Sequence, residues 1–184
     1  MFSFKGKSNP YMLIVGMTGV KMGDQMLQIG CTDAGALAAT AAKVGLSGRA
    51  VVVVPDIETA VKARKGAERQ GVLVDVEVGP ATALPASDAD FDLVVVDDAK
   101  GDFAKADPAA QATIVGEGLR ILKPGGRLLV ISAGEAEGLA ALLGGNKGPV
   151  FDAEPTLKAG GCRIVRLLAE KEGLRFVEGT KART

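Results

Sequence analysis

The sequence contains no histidine, and among its 184 residues it has only two cysteines and one tyrosine. Without histidine the chain has no Ser-His-Asp triad, no imidazole acid or base, and no histidine-ligated metal site. Cys31 and Cys162 are not spaced like zinc ligands or a redox pair, so cysteine usage favours a reduced, cytoplasmic protein. Any chemistry proposed for this chain therefore has to work without an imidazole.

The chain also lacks an excess of charge of either sign, since Lys+Arg and Asp+Glu number 22 each. Without a basic excess, nothing indicates a nucleic acid or an anionic membrane as partner. The apolar run over residues 11–15 is too short for a signal peptide or a membrane span. The length of 184 residues suits one domain, and a hydrophobic content of 47% is typical of globular proteins. We expect this domain over residues 24–184, preceded by an arm and short helix over residues 1–23.

From residue 24 onwards, apolar strand-like runs alternate with helical patterns. Strands are predicted over residues 26–29, 50–54, 72–78, 91–96 and 127–131. Helices are predicted over residues 36–44, 57–70, 108–122 and 135–143, with a helical turn over 155–161. A hairpin is predicted from residues 162–169 and 174–179. Right-handed crossovers turn this order into a doubly wound, mostly parallel α/β sheet that ends in an antiparallel hairpin.

Within the helix over residues 57–70, the spacing predicts one face that is shared by Ile57, Ala60, Val61, Arg64 and Ala67. Gly71 follows as the stop signal.

The first strand-turn-helix unit, residues 25–35, is the predicted ligand site. Its sequence is Gln-Met-Leu-Gln-Ile-Gly-Cys-Thr-Asp-Ala-Gly. A turn of this kind aims free backbone N–H groups at the crevice beyond the strand's carboxyl end, where doubly wound folds bind nucleotides. Gly30 either lets the main chain approach a ligand or simply permits the sharp turn.

Five segments resemble the motifs of class I S-adenosylmethionine-dependent methyltransferases, particularly the quinone-biosynthesis (methyltransferase type 11) group. Residues 26–34 resemble the first motif, V-L-D-x-G-C-G-x-G, and residues 52–57 resemble the second strand with its terminal acid. Residues 79–85 resemble G-D-A-x-x-L-P, and residues 91–96 resemble the fourth strand. Residues 119–130 resemble L-x-x-L-K-P-G-G-x-L-x-x. The resemblance implies a Rossmann-like three-layer sandwich with a mostly parallel seven-stranded sheet and an antiparallel C-terminal hairpin strand.

The same resemblance implies S-adenosylmethionine as the cofactor. The cofactor-binding positions that it implies are Gly30, Cys31, Thr32, Gly35, Asp56, Ile57, Ala81 and Asp97. N–H groups of the loop are expected to hold the methionine carboxylate, Asp56 the ribose hydroxyls, and Ile57 the adenine. Asp56 also suits an ordinary helix N-cap, and the two roles can coexist.

Asp97 and Asp98 are the only candidates for a general base, and no metal site is expected. Asp97 is expected to face either the methyl acceptor or the ammonium group of the cofactor, and a solvated loop acid is the other interpretation.

The chain departs from the family's pattern at four positions. Gln28 replaces an acid, Thr32 and Ala34 replace two glycines, and Pro80 replaces a second acid. If Thr32 or Ala34 must adopt a positive φ, its Cβ atom carries a steric penalty.

Two functions therefore remain open. One is a methyltransferase for a small or lipid-like acceptor, with a homodimer or protein partner completing the pocket. The other is a catalytically inactive methyltransferase-like protein that acts as a binding or structural partner. A nicotinamide-dependent oxidoreductase is disfavoured, because the spacing from Gly30 to Gly35 lacks the middle glycine that a pyrophosphate needs.

Overall fold

The computed structural model describes residues 9–135 and 150–183. The arm over residues 1–9 and the helix predicted over 135–143 lie outside these ranges, apart from Asn9 and Glu135. The helices are α1 (Met12–Thr18), α2 (Ala34–Val44), α3 (Ile57–Gln70), α4 (Asp102–Lys105), α5 (Pro108–Ile121) and α6 (Glu154–Ala159). The strands are β1 (Gln25–Ile29), β2 (Arg49–Val54), β3 (Asp75–Val78), β4 (Phe91–Asp98), β5 (Leu122–Ala133), β6 (Val165–Lys171) and β7 (Leu174–Thr180).

The strands form one seven-stranded sheet in the order β3-β2-β1-β4-β5-β7-β6. The first five strands in this order run parallel, whereas β7 is antiparallel to both β5 and β6. The predicted doubly wound sheet with an antiparallel C-terminal hairpin strand is therefore confirmed. Because the chain order reverses between β1 and β4, a crevice opens beyond the carboxyl ends of these two strands.

Two apolar cores lie on opposite faces of the sheet, as expected for a three-layer sandwich. Alternate residues of the central strands enter each core because successive strand side chains point to opposite faces. Leu27 and Val94 pack with residues of α4, α5 and α6 in one core. Met26 and Val95 pack with residues of α1, α2 and α3 in the other. The central strands are thus buried on both sides, which explains their continuous apolar sequences.

The buried face of α3 differs from the predicted one. Its buried residues are Ala60, Ala63, Gly66 and Ala67, whereas Ile57 is 72% exposed. Val61 is 40% exposed, and the side chain of Arg64 donates to the carbonyl of Val76. The reason is a close helix contact, since a Cβ atom at Gly66 would lie 2.5 Å from that of Ala34. Small residues therefore form the face through which α3 supports the first turn of α2.

Strand β5 begins five residues earlier than predicted. The segment Lys123-Pro-Gly-Gly126 was expected to separate α5 from the strand, but it lies inside β5. The pairing with β4 shifts register here, because Phe91 pairs with Leu122 and Leu93 pairs with Arg127. The turn-forming residues thus produce an irregularity in the ladder instead of ending it.

Candidate functional site

In the turn after β1, the residue with a positive φ is Gly30. Gly30 has φ +82°, and its N–H donates to the carbonyl of Val53 over 2.8 Å. A Cβ atom at Gly30 would lie 3.0 Å from the main-chain oxygen of Asp97. Among the described residues, Ala89 and Glu172 are the non-glycine residues with positive φ. The penalty expected at Thr32 or Ala34 therefore does not arise.

Asp33 caps the N-terminus of α2. Its Oδ1 accepts the N–H groups of Gly35 and Ala36 over 2.7 and 3.3 Å, and the hydroxyl of Tyr11 donates to the same atom over 3.3 Å. A Cβ atom at Gly35 would overlap the Tyr11 ring. Partial burial and the carboxylate of Asp33 raise the pKa of the Tyr11 hydroxyl, so it remains a donor at neutral pH. Gly35 thus makes room for Tyr11 beside the loop.

Asp97, at the carboxyl end of β4, is bound to the loop after β1. Its Oδ2 accepts the N–H of Thr32 over 2.6 Å and lies 3.5 Å from Nε2 of Gln28. Gln28 is 6% exposed, and its Nε2 also donates to the carbonyl of Gly30 over 2.9 Å. The contact between Gln28 and Asp97 was not predicted from the sequence. The one signal for it was that Gln28 replaces the acid usual at this position. A buried amide on β1 here faces a carboxylate on β4.

Three N–H groups of the loop are used within the protein. The amides of Thr32, Gly35 and Ala36 donate to the chain's own carboxylates. The loop consequently presents the negative charges of Asp33 and Asp97, which suit a cationic group.

Cys31, the residue after Gly30, is half-buried. Burial, followed by the nearby charges of Asp97 and Asp33, raises the pKa of the Cys31 thiol to about 11. The thiol is therefore protonated at neutral pH, and Cys31 is not an activated nucleophile.

The three remaining predicted cofactor positions lie beyond β2 and β3. Asp56 is exposed, and its Oδ1 caps α3 by accepting the N–H of Thr59 over 2.7 Å. This hydrogen bond holds the pKa of the Asp56 carboxyl below its usual value. Ile57 is exposed, and Ala81 is partly buried against the core. The capping role of Asp56 uses one oxygen and leaves room for the ribose role beside it.

Two cavities meet at the loop. The inner one has a volume of about 200 Å³ and lies between α1 and the ends of β1 and β4, lined by Gln28 and Asp97 among others. The outer one, of about 730 Å³, is bordered by residues 31–35 and by four basic residues, Lys62, Lys65, Arg69 and Lys100. Thr32 and Asp33 line both cavities. Gly30, Asp56, Ile57 and Ala81 line neither of them.

Asp98, the second candidate base, is 1% exposed and caps α4. Its Oδ1 accepts the N–H of Phe103 over 2.7 Å, and its Oδ2 accepts the N–H of Ala104 over 3.1 Å. Burial raises the pKa of the Asp98 carboxyl to about 6, although the two hydrogen bonds oppose this shift. Both oxygens therefore hold α4 against the end of β4.

We expect the raised pKa of Asp98 to make its contribution to stability fall with increasing pH. The native state binds the Asp98 proton more tightly than the unfolded state, so this stabilisation is complete below about pH 4 and is lost as pH rises through about 6. The free energy of unfolding of the wild type relative to Asp98→Asn should fall by about 2 kcal/mol from pH 4 to 7. Urea unfolding of both proteins measures this difference, and a constant difference would contradict the assignment.

Among residues 9–135 and 150–183, no group of three or more acidic, cysteine or histidine residues is arranged to hold a metal ion. Every helix in the same part of the chain is too short or too polar to cross a bilayer.

Solved structures with the same fold include methyltransferases and a cyclase. A SAM-dependent methyltransferase from Aquifex aeolicus is 20% identical, with a TM-score of 0.73 over 93% of this chain and 89% of that chain. The S-adenosylmethionine-dependent methyltransferase SibL is 22% identical, with a TM-score of 0.70 over 96% of this chain and 55% of SibL. The [4+2]-cyclase SpnF is 17% identical, with a TM-score of 0.67 over 95% of this chain and 80% of SpnF.

These likenesses define the fold as that of the class I methyltransferases. A family model described as a methyltransferase domain matches residues 27–130, which is more than half of the 184 residues, and the chain belongs to this family. The class predicted from the sequence is thereby confirmed, and S-adenosylmethionine is the cofactor of that class. No curated protein matches the sequence.

Proposed function

We propose that the chain transfers the methyl group of S-adenosylmethionine to a small-molecule or lipid-like acceptor. The observation that carries this proposal is the pair of carboxylates, Asp33 and Asp97, on either side of Thr32 at the switch point of the sheet. S-adenosylmethionine carries an ammonium and a sulfonium, and both are favoured next to carboxylates in a partly desolvated crevice. The donor set therefore fits this cofactor.

The remaining contacts follow from the two cavities and the exposed edge beyond β2. Cys31, Thr32 and Gly35 line the outer cavity and would border the methionine part, while Gly30 would hold the turn behind them. The basic residues around the outer cavity would favour the carboxylate of the methionine part. Asp56 would accept the ribose hydroxyls with the carboxylate oxygen that does not cap α3. Ile57 and Ala81 would pack on the adenine. The side chain of Ile57 is a large apolar group that is exposed to solvent, and the adenine would cover it.

The bound cofactor supplies an electrophilic methyl group on a good leaving group, so positioning of the acceptor provides most of the catalysis. The chain's own residues then need only to orient the acceptor and accept its proton where it has one. Asp97 borders the inner cavity and is the candidate for that proton. We assign Asp98 a positioning role instead, because it is 1% exposed and holds α4 through two hydrogen bonds, whereas Asp97 is only partly buried.

Calorimetric titration of the full chain with S-adenosylmethionine tests the proposal. We expect a Kd below about 1 mM, in the usual range for small-molecule ligands of enzymes. Asp97→Asn should weaken binding by about tenfold or more, because it removes a charge from the partly buried site. The matched control is Asp75→Asn, at the exposed amino end of the edge strand β3, away from the crevice at the carboxyl ends of β1 and β4. No detectable heat at about 1 mM cofactor would overturn the proposal.

The second candidate is a catalytically inactive binding or structural protein, alone or with a homodimer or protein partner at the pocket. The amides of Thr32, Gly35 and Ala36 favour it, because they donate to Asp33 and Asp97 and not to a ligand carboxylate. The same titration separates the two candidates, since this one predicts no cofactor binding.

A further inference from the structure

A further cavity lies at the end of the sheet opposite the crevice, beyond the amino ends of β5 and β6 and the carboxyl end of β7. Its volume is about 390 Å³. Residues 180–182 lie between residues 163–164 on one side and residues 125–126 on the other. Four main-chain hydrogen bonds of 2.8 to 3.2 Å join these three segments. The backbone around the cavity is therefore fixed.

Among the described residues, the charged side chains that line this cavity are all basic: Arg163, Lys181 and Arg183. Both arginines are exposed, and neither forms an ion pair within the described part of the chain. Nζ of Lys181 donates to the carbonyls of Leu122 over 2.6 Å and of Arg120 over 3.4 Å, so it is held by main-chain oxygens and not by a carboxylate.

The acids at this end of the sheet do not neutralise the cavity. Four of them are paired with other basic residues: Asp88 with Arg120, Asp90 with Arg49, Asp92 with Lys123, and Glu178 with both Arg127 and Arg166. The charge of the three lining cations is therefore available to a ligand, and it favours an anion.

The side chain of Arg183 lies over the turn at Gly125. A Cβ atom at Gly125 would lie 3.3 Å from Cγ and 3.6 Å from Nε of Arg183. This contact holds the guanidinium group beside the cavity, so it loses less rotamer freedom when an anion binds. The bare turn thus orients one of the three cations.

Three convergent cations match a phosphomonoester better than a carboxylate. A phosphomonoester carries nearly two negative charges and three acceptor oxygens at neutral pH, and the guanidinium fork fits its oxygens in bidentate geometry. A carboxylate has one charge and two oxygens. Ile164 also lines the cavity and is 60% exposed, so it offers an apolar contact to the organic part of such a ligand.

We propose that this cavity binds the phosphoryl group of a phosphomonoester, carried by a soluble metabolite or by a lipid headgroup. Arg163 and Arg183 bind the phosphoryl oxygens, Lys181 adds its charge, and the hydroxyl of Thr180 donates a hydrogen bond. Because β4 and β5 are parallel, the cavity and the crevice lie at opposite ends of the sheet. The inference therefore does not rest on the proposed methyl transfer.

The test titrates glycerol 3-phosphate into the isotope-labelled full chain at constant ionic strength, and backbone amide shifts are followed by NMR. We expect shifts at residues 125–126, 163–164 and 180–183, with a Kd of about 5 mM, because exposed charge pairs are individually weak. Glycerate, which carries one carboxylate, should bind about threefold more weakly.

Sedimentation with phosphatidylcholine vesicles, prepared with and without phosphatidic acid, separates the two sources of the phosphoryl group. Phosphatidic acid presents the same phosphomonoester at a membrane surface. Capture by its vesicles without a response to glycerol 3-phosphate would assign the group to a lipid, and the reverse would assign it to a soluble metabolite. Both responses together would support the shared chemistry.

Arginine variants locate the site. Arg163→Gln and Arg183→Gln should each weaken binding by about threefold, and the double variant by about tenfold. Lys171→Gln removes the same charge at the far end of β6 and should leave the affinity unchanged. The proposal would be overturned by shifts centred elsewhere, by equal affinities for glycerol 3-phosphate and glycerate, or by wild-type affinity in the double variant. It would also be overturned if about 20 mM glycerol 3-phosphate and the phosphatidic acid vesicles both failed to bind.

Discussion

Replacing Gly30 with alanine is expected to lower the free energy of unfolding by about 3 kcal/mol and to abolish cofactor binding, because two costs add at this position. The backbone has φ +82°, a conformation that costs about 1–2 kcal/mol for a residue with a Cβ atom. The new methyl group would also lie 3.0 Å from the main-chain oxygen of Asp97, and forcing such a contact costs about 1–3 kcal/mol.

Gly71→Ala is the matched control, because it shares the first cost and lacks the second. Gly71 has φ +64°, and a Cβ atom added there would have no other atom within 4 Å. We expect a loss of about 1 kcal/mol and normal cofactor affinity. Urea unfolding measures both losses and calorimetry measures both affinities. Equal losses of unfolding free energy in the two variants would show that the close approach of β4 to Gly30 adds nothing to the cost of a Cβ atom there.

Local signals predicted those parts of the fold whose stability is itself local. The Asp107-Pro108 pair correctly marked the start of α5, since Asp107 caps the helix with its side chain. Gly71 correctly ended α3 in a left-handed conformation. The run Val51–Val54 was correctly predicted as a strand. The parallel sheet buries it on both faces, and such strands have continuous apolar sequences.

Features that depend on distant residues were not predictable in the same way. The four-residue helix α4 was missed, since its N–H groups are satisfied by Asp98 of the preceding strand and not by a local cap. The early start of β5 was missed because pairing of Leu122 with Phe91 overrides the turn propensity of Pro124 and the two glycines that follow.

The site shows the same division. The contiguous motifs correctly predicted where β1 and β2 end, whereas the binding roles of the residues that follow them stay predictions. The sequence could not show that Gln28 contacts Asp97, since the two residues are separated by 69 positions and meet only through the β1–β4 register. Position 28 therefore looked like the loss of an acid, whereas the structure supplies a carboxylate from the neighbouring strand.

We accordingly expect Gln28→Glu to be strongly destabilising. The new carboxylate would be nearly fully buried and would replace the amide that faces Asp97 at 3.5 Å. An uncompensated buried charge costs about 3 kcal/mol at neutral pH, and the loss should shrink as pH falls because repulsion raises the pKa of the new carboxyl group. Urea unfolding at about pH 7 and about pH 5 measures both effects. The same loss at the two pH values would exclude charge repulsion as its cause.

The double variant Gln28→Glu/Asp97→Asn moves the carboxylate from β4 to β1 while the total charge of the site stays constant. If the stability depends on one carboxylate facing one amide at these two positions, the double variant should recover about 2 kcal/mol of the loss caused by Gln28→Glu. It should also bind S-adenosylmethionine more tightly than Asp97→Asn alone, since a carboxylate again faces the crevice. The four proteins of this cycle give the coupling energy directly. Additive losses would mean that Gln28 and Asp97 act independently, and the crevice would then depend on Asp97 alone for its charge.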